Sequence, residues 1–257
     1  MRRFAICRVT HALYPDVTGG HAIYCHELSS RQADLGYRVE VLTAQRNHLP
    51  EHQLSEEGYS VTRLSGVWMP WESLGMSNPF TPSLCAIIKR SSWDLVDAHS
   101  QLFWMTAISV KAAMDSGKPI ITTVHGLLAL RDWLTNISQR IYLLTIGAWA
   151  LRNSSRVICL TKSDAEEVAS LGVRKRNIRI IPNAVNLNMF RPGLDRQERL
   201  VWVGRLVAEK GLETLLEAVA VLRKKRTVQV ILVGDGPLRN KLLTRTYALG
   251  CLLYTSD

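Results

Sequence analysis

Short apolar runs alternate with helical segments along most of this chain of 257 residues. Polar or turn residues bound each run, which is typical of strands buried on both faces of a sheet. The predicted strands are Arg3–Thr10, Arg38–Thr43, Tyr59–Leu64, Leu95–Ala98, Ile120–Val124, Val157–Leu160, Ile178–Ile181, Leu200–Val203 and Val228–Val233. Strand–helix–strand order favours right-handed crossovers, so the sequence predicts an α/β protein with a parallel sheet.

The composition changes near residue 190. The stretch from Asn186 to Glu198 is polar and carries Pro192-Gly193 in its middle, which is typical of an interdomain linker. We predict an N-terminal domain over residues 1–190 and a second α/β unit over residues 191–250 with two strands and two helices. Two parallel strands leave an unpaired edge and a thin core, so the second unit is expected to be incomplete.

Lysine and arginine outnumber aspartate and glutamate by 32 to 22, which gives a formal net charge of +10. This excess suits nucleotides, sugar phosphates, an acidic membrane or nucleic acid, although charge alone favours an unspecific basic surface. The cluster Arg223–Arg226 ends a predicted helix, where cations oppose the negative helix pole, so we predict no nucleic-acid partner. The longest apolar stretch, Ile141–Leu151, is too short to span a membrane and is predicted to be a buried helix.

Neither a secretory signal nor a metal site can be recognised in the sequence. The five cysteines are scattered without a C-x-x-C pair, which predicts reduced thiols in a cytoplasmic protein. His48 and His52 have helical ligand spacing, but Pro50 lies between them. His21 and Cys25 are four apart on a predicted helix without a third ligand, so packing is the favoured role.

Two loops after predicted strands could bind phosphate. Gly19-Gly20 precedes the first helix, where a phosphate can approach backbone N–H groups, although a plain turn explains the pair as well. In the loop Gly204–Gly211, Arg205 and Lys210 can converge on one diphosphate. The alternative for this loop is a solvated turn whose cations pair with Glu209.

A third loop and one histidine also follow strands. Gly234-Asp235-Gly236-Pro237 begins like a dinucleotide-binding loop, but Arg239 stands where a third glycine is expected. We therefore predict a strand-to-helix turn beside a nucleotide and exclude a dehydrogenase. His125 directly follows Ile120–Val124 and could exchange hydrogen bonds in a cleft or serve a structural role.

In this order, the segments resemble the retaining, GT-B-fold glycosyltransferases of family 4. The matching segments are Pro15–Gly20, His26–Thr43, Asp94–Ser100, Pro119–Gly126, Val157–Asp164, Ile178–Asn186, Val203–Gly211 and Leu232–Leu238. The resemblance implies a Rossmann-like acceptor domain facing a second Rossmann-like domain, of which this chain holds the first part. It implies hexosyl transfer with retained configuration from a UDP-, GDP- or ADP-sugar to a glycan or lipid-linked acceptor, without a cofactor or essential metal.

The resemblance also assigns roles to eight residues. The one implied to be catalytic, through contact with the donor sugar near the reacting carbon, is His125. Those implied to bind the donor are Gly19, Gly20, Arg205, Lys210, Gly234, Gly236 and Pro237.

The family pattern stops at Gly250. The family's Glu–seven residues–Glu element, which contacts donor sugar and ribose, belongs beyond the matched region. Residues 251–257 do not resemble the strand expected next and are interpreted as a non-family tail of artefactual origin. The expectation is a C-terminally truncated, inactive chain. Two alternatives stay open: a non-catalytic nucleotide- or sugar-binding module, and a GT-B nucleotide-sugar epimerase.

A membrane partner is a further expectation. Trp68, Trp71 and Trp104 on a basic N-terminal domain suit peripheral contact with an anionic membrane that presents a lipid-linked acceptor. This would place the protein at the inner face of the plasma membrane. Burial of the three tryptophans explains the same facts.

Overall fold

The computed structural model describes residues 3–46, 49–68, 79–128, 133–188, 190, 199–226, 228–248 and 252–254. The chain divides into two compact units, Met1–Ala184 and Val185–Asp257. Trp71, His48 and most of the predicted linker lie outside the described residues.

The first unit is built on an eight-stranded sheet with the order β10-β9-β8-β7-β1-β2-β4-β3. All of its strand pairs are parallel except that of β3 with β4. The strands are β1 (Ala5–Val9), β2 (Arg38–Ala44), β3 (His52–Leu54), β4 (Ser60–Leu64), β7 (Leu95–His99), β8 (Ile120–Val124), β9 (Arg156–Cys159) and β10 (Ile178–Ile180). A small antiparallel pair is formed by β5 (Val67–Trp68) and β6 (Pro79–Phe80). The predicted parallel α/β fold is confirmed.

Six α-helices of the first unit lie within the described residues. They are α1 (Gly20–Asp34), α2 (Ser83–Arg90), α3 (Trp104–Asp115), α4 (Trp133–Tyr142), α5 (Ala148–Asn153) and α6 (Lys162–Ser170). All five residues of β1 are buried, as expected of a central strand covered on both faces. One of the first unit's apolar cores joins the sheet to α2 and α3, with Val9, Val96, Leu84 and Val110 at its centre.

The apolar stretch Ile141–Leu151 is not a buried helix throughout. A π-helical turn, Leu143–Gly147, connects α4 to α5. Leu143 and Leu151 are buried, but Ile141 and Leu144 are mostly exposed, so the prediction was wrong for one face. Apolar side chains occur on both sides of this segment, and sequence period alone does not show which side meets the sheet. No described helix combines the length and hydropathy required to cross a bilayer.

The second unit contains a three-stranded parallel sheet, β11 (Arg199–Val203), β12 (Gln229–Val233) and β13 (Leu252–Tyr254), in that order. Helices α7 (Leu212–Arg223) and α8 (Arg239–Ala248) follow β11 and β12. The two strands predicted within residues 191–250 are present, but Leu252–Tyr254 also pairs with β12, so the prediction of a tail without a strand over residues 251–257 was wrong.

Candidate active site

The carboxyl ends of β1 and β7 lie side by side in the middle of the first unit's sheet. From β1 the chain builds the sheet toward β3, and from β7 it builds toward β10. Such a reversal opens a crevice at the carboxyl ends of the strands, where open α/β sheets bind ligands. Thr10 and His11 follow β1, while His99 ends β7 and Ser100 follows it.

Four histidines meet at this crevice. His21 in the first turn of α1 lies 4.7 Å from His11 and 4.6 Å from His125, measured between ring centroids. The rings of His99 and His125 are 5.4 Å apart. His21 bonds with Thr10 Oγ1 at 2.7 Å, so its role includes joining α1 to β1. No described group of histidine, cysteine and carboxylate side chains has an arrangement suited to a metal ion.

Ser100 adds backbone strain to this crevice. Its φ of +66° is left-handed, which is uncommon for a residue other than glycine. The Ser100 N–H donates to the Thr123 carbonyl at 2.9 Å, and the Thr106 hydroxyl donates to the Ser100 carbonyl at 2.7 Å. The Ser100 hydroxyl lies 3.2 Å from Nδ1 of His21. Strained residues held by surrounding hydrogen bonds cluster at functional sites, which is consistent with this position.

A buried hydrogen-bonded chain leads from β1 to His125. Arg8 is fully buried and donates to Asp97 Oδ2 through Nε at 3.2 Å and Nη2 at 2.9 Å. Nε2 of His99 lies 3.3 Å from the same oxygen, and Nδ1 of His99 lies 3.1 Å from Nε2 of His125. Arg8 also donates to the Ser29 hydroxyl at 2.6 Å. The order Arg8–Asp97–His99–His125 therefore connects a buried cation to the crevice.

The two histidines at the end of this chain have opposite charge preferences. Burial opposes the charge on His99, but Cys25 and the Asp97 carboxylate outweigh it and raise the pKa of His99 to about 9. Burial, together with the nearby His99, lowers the pKa of His125 to about 3. Burial raises the pKa of Asp97, but His99 and Arg8 outweigh it and hold that pKa below its usual range. At neutral pH His99 is a cation and His125 is neutral.

The bond between the two rings fixes the tautomer of His125. A cationic His99 carries a proton on Nδ1, so it donates to Nε2 of His125. Nε of Arg8 also lies 3.3 Å from Nε2 of His99. If Nε2 of His99 accepted a hydrogen bond from Arg8, the His99 ring would be neutral and would still carry its one proton on Nδ1. Neutral His125 therefore keeps its proton on Nδ1. No described residue accepts a hydrogen bond from this Nδ1.

Histidine ¹⁵N NMR should show these protonation states directly. At neutral pH we expect an imidazolium at His99 and the Nδ1–H tautomer at His125. His99 should lose its proton only near pH 9, and His125 should gain one only near pH 3. In an Asp97→Asn variant the His99 titration should move down toward its ordinary 6.5, because the carboxylate is gone. A neutral His99 in the wild-type protein at pH 7 would contradict this arrangement.

The loop with Gly19 and Gly20 opens α1 at the same edge. Gly19 is the N-cap residue and provides no side-chain cap. A Cβ built on either glycine would meet no described atom within 4 Å, so local packing does not require glycine here. The loop is tied down upstream, where Arg63 donates to both carboxylate oxygens of Asp16 at 2.7 and 2.8 Å. These glycines leave open space above backbone N–H groups.

In the second unit, the two predicted donor loops lie against each other. Leu206 N donates to the Asp235 carbonyl at 2.8 Å, and Leu238 N donates to the Leu206 carbonyl at 3.0 Å. A Cβ on Gly234 would lie 1.8 Å from the Gly204 carbonyl oxygen, and one on Gly236 would lie 2.6 Å from the Leu206 carbonyl oxygen. Close packing of the two loops therefore requires glycine at positions 234 and 236, which was not predicted from the sequence.

Arg205 and Lys210 are exposed beside these loops. Lys210 ends a short 3₁₀ turn, Ala208–Lys210, and Gly211 follows in the left-handed conformation at the start of α7. Neither cation forms an ion pair with a described side chain. The alternative pairing with Glu209 lies outside the described side chains. Pro237 is in the turn just before α8.

The predicted site residues therefore form one group in each unit. Gly19, Gly20 and His125 share the carboxyl edge of the first sheet. Five others lie at the carboxyl ends of β11 and β12: Arg205, Lys210, Gly234, Gly236 and Pro237. Asp97 and His99 were not predicted as site residues. The sequence signal that could have identified them is that two polar residues stand two positions apart in an otherwise apolar strand, so that both lie on the same face of the sheet.

Two Rossmann-like units with ligand-ready loops at their strand ends define the fold class of GT-B glycosyltransferases. The family model for Glycosyltransferase Family 4 matches residues 18–189, and the model for glycosyl transferases group 1 matches residues 197–252. The chain belongs to Glycosyltransferase Family 4.

Relatives of this chain are also glycosyltransferases. An uncharacterised glycosyltransferase of Methanocaldococcus jannaschii is 26% identical over 95% of this chain and 66% of its own length. A phosphatidylinositol N-acetylglucosaminyltransferase component of Arabidopsis thaliana is 25% identical over 93% of this chain and 54% of its own length. The chain thus spans about half to two thirds of these relatives.

Solved structures share the fold. Sucrose-phosphate synthase of Thermosynechococcus elongatus superposes with a TM-score of 0.72 at 21% identity, covering 99% of this chain and 71% of the other. HepE of Anabaena in complex with UDP-glucose gives a TM-score of 0.69 at 17% identity, covering 99% of this chain and 70% of the other. At these identities the likeness establishes the α/β, Rossmann-like GT-B fold class.

Proposed function

We propose that this chain serves the transfer of a hexose from a nucleotide-diphosphate sugar to an acceptor, with retention of anomeric configuration. The observation that carries the proposal is the exposed pair Arg205 and Lys210 at the carboxyl end of β11, in a chain of Glycosyltransferase Family 4. Two cations within one loop suit a departing diphosphate, whose negative charge they would stabilise without a metal. HepE, which has this fold, was crystallised with UDP-glucose, which supports a UDP-, GDP- or ADP-sugar as donor.

His125 is proposed to contact the donor sugar near the reacting carbon. Its neutral ring, with the proton on Nδ1, makes it a hydrogen-bond donor rather than a cation. A neutral donor can orient a sugar hydroxyl without adding a positive charge that would compete with Arg205 and Lys210 for the diphosphate. Gly19 and Gly20 are proposed to let donor phosphates and acceptor approach the first turn of α1.

A glycan or a lipid-linked acceptor is proposed. The Arabidopsis relative is named for transfer to phosphatidylinositol, which supports the lipid-linked class. Such an acceptor would require peripheral contact with a membrane, and we propose the inner face of the plasma membrane, with the protein in the cytoplasm.

Removing both loop cations should weaken nucleotide binding. In the double variant Arg205→Gln with Lys210→Gln, affinity for the preferred nucleoside diphosphate should fall at least about tenfold, because charge-assisted bonds to phosphate are lost. Isothermal titration calorimetry with UDP, GDP and ADP measures this. The matched control is Lys224→Gln with Lys225→Gln, the same change of charge at the far end of α7. Equal losses in the two double variants would contradict a specific diphosphate site.

The reaction itself is tested with donor sugars and extracted membrane lipids. Mass spectrometry identifies a glycosylated product, and ¹H NMR coupling gives its anomeric configuration. An inverted product would contradict retention. Interconversion of a free UDP-sugar without acceptor would favour the epimerase, and binding without chemical change would fit either the non-catalytic module or the inactive chain that the sequence predicts.

A further inference from the structure

Helix α4 turns its apolar side outward. Trp133 is 69% exposed, Ile141 60% and Leu144 58%. Leu134 and Ile137 are each 50% exposed. Four of the five lie on α4 and Leu144 lies in the π-helical turn that follows it; we call the five residues the α4 apolar stripe. Single exposed apolar residues are ordinary on protein surfaces, but a contiguous row of large ones marks a surface that something covers.

The spacing of the stripe places it on one face. Successive members are one, three, four and three residues apart, which keeps them within a narrow arc of a helix. The opposite face of α4 carries Thr135, Gln139 and Tyr142, all buried against the first unit. A surface helix of a globular protein normally has the reverse arrangement, with polar residues outward. The apolar side of α4 is therefore available to an apolar phase outside the unit.

The charges around the stripe identify the occupant. From Arg131 to Asn153 the sequence contains three arginines and one acidic residue, Asp132. Arg140 is exposed and follows Trp133 by seven residues, so the two lie on the same side of the helix. Tryptophan and arginine bordering a row of leucine and isoleucine are typical of helices that lie in the headgroup layer of an anionic bilayer. The net charge of +10 favours the same surface.

We propose that the α4 apolar stripe docks the protein on the surface of an anionic lipid bilayer. The use of this contact for a lipid-linked acceptor rests on the proposed function, whereas bilayer binding itself does not.

The membrane contact that we propose is the α4 apolar stripe and not the surface with Trp68, Trp71 and Trp104 that the sequence suggested. Trp104 is half-buried, with its ring edge-on to Phe80 at 6.4 Å and to Tyr142 at 5.3 Å, so packing accounts for it. The side chain of Trp68 and all of Trp71 lie outside the described residues.

Flotation of the full 257-residue chain with lipid vesicles tests the proposal without donor or acceptor. Wild-type protein should float with phosphatidylcholine vesicles that contain phosphatidylglycerol, and less so without it or at high salt. The triple variant Trp133→Ser, Ile137→Ser, Ile141→Ser should lower the vesicle partition constant at least about tenfold. Arg140→Gln should lower it about fivefold on anionic vesicles only. Leu54→Ser, an equally exposed apolar site on β3 at the edge of the sheet, is the matched control and should bind as wild type does.

Circular dichroism first establishes that the triple variant keeps its fold. Three results would overturn the proposal. In the first, wild-type protein does not float; in the second, Leu54→Ser loses as much binding as the triple variant. In the third, light scattering shows a wild-type dimer that the triple variant dissociates, without any vesicle binding, which would assign the stripe to a second copy. Because flotation needs no nucleotide, its failure is distinct from a failure of diphosphate binding.

Discussion

Asp97→Asn is expected to lower the free energy of unfolding of the first unit by about 3 to 5 kcal/mol, as is usual when one partner of a buried ion pair is removed. Arg8 and Asp97 are directly paired across β1 and β7, and Arg8 is fully buried. Asparagine keeps the shape of the side chain but removes its charge. The Arg8 guanidinium would then be left in the core without a counter-ion, and His99 would lose a carboxylate that raises its pKa.

Urea titration followed by tryptophan fluorescence measures this change. The signal reports mainly on the first unit, because Trp202 is the one tryptophan of the sequence in the second. Asp115→Asn is the matched control: Asp115 pairs with Lys89 at 2.7 Å on the surface, where ion pairs contribute at most about 1 kcal/mol. Equal losses from Asp97→Asn and Asp115→Asn would contradict the buried chain.

The pH dependence separates the His99 contribution from that of Arg8. The pKa of His99 is raised from 6.5 in the unfolded chain to about 9 in the folded protein. Its stabilising effect is therefore fully present below pH 6.5 and is lost as the pH rises through about 9. The difference in unfolding free energy between wild-type protein and Asp97→Asn should therefore decrease between pH 6.5 and about 9. The difference that is still present above pH 9 is the contribution of the Arg8–Asp97 ion pair.

Most strands of this fold could be predicted because their signal is local, whereas the short strands β3, β5, β6 and β13 were not predicted. β1, β8 and β12 are apolar runs bounded by turn residues, and each lies within a segment that the sequence predicts. The order of strands in the sheet is not local. That β1 lies beside β7, and Arg8 opposite Asp97, depends on pairing across 89 residues. The buried chain behind His125 was therefore invisible, although an arginine inside an apolar strand was itself a signal.

The orientation of α4 was unpredictable for a related reason. Apolar residues occur on both faces of the segment around Ile141 and Leu144, and the inward face also includes Thr135 and Gln139. The helical period shows which residues share a face of the helix, but it does not show which face packs against the sheet. The role of Gly234 likewise depends on a carbonyl 30 positions away in the sequence, at Gly204 (234 − 204).

Gly234→Ala is expected to destabilise the second unit by about 4 kcal/mol or more, the range of the most damaging single substitutions. Gly234 has a φ of +144°, which an L side chain rarely adopts. The new Cβ would also lie 1.8 Å from the Gly204 carbonyl oxygen, which is backbone and cannot move aside like a flexible side chain. Relief requires the two loops to separate, which would break the Leu206 N–H bond to the Asp235 carbonyl.

Hydrogen exchange of β11 and β12, followed by mass spectrometry, measures the effect on the second unit. Gly211→Ala is the control for backbone conformation alone, because Gly211 has a φ of +66° but a Cβ there would meet no described atom within 4 Å. It should cost about 1 kcal/mol, since left-handed backbone is the only penalty. If Gly234→Ala exchanged no faster than Gly211→Ala, close packing of the two loops would not be what requires glycine at 234. We would then propose room for a ligand as the reason, as we do for Gly19 and Gly20.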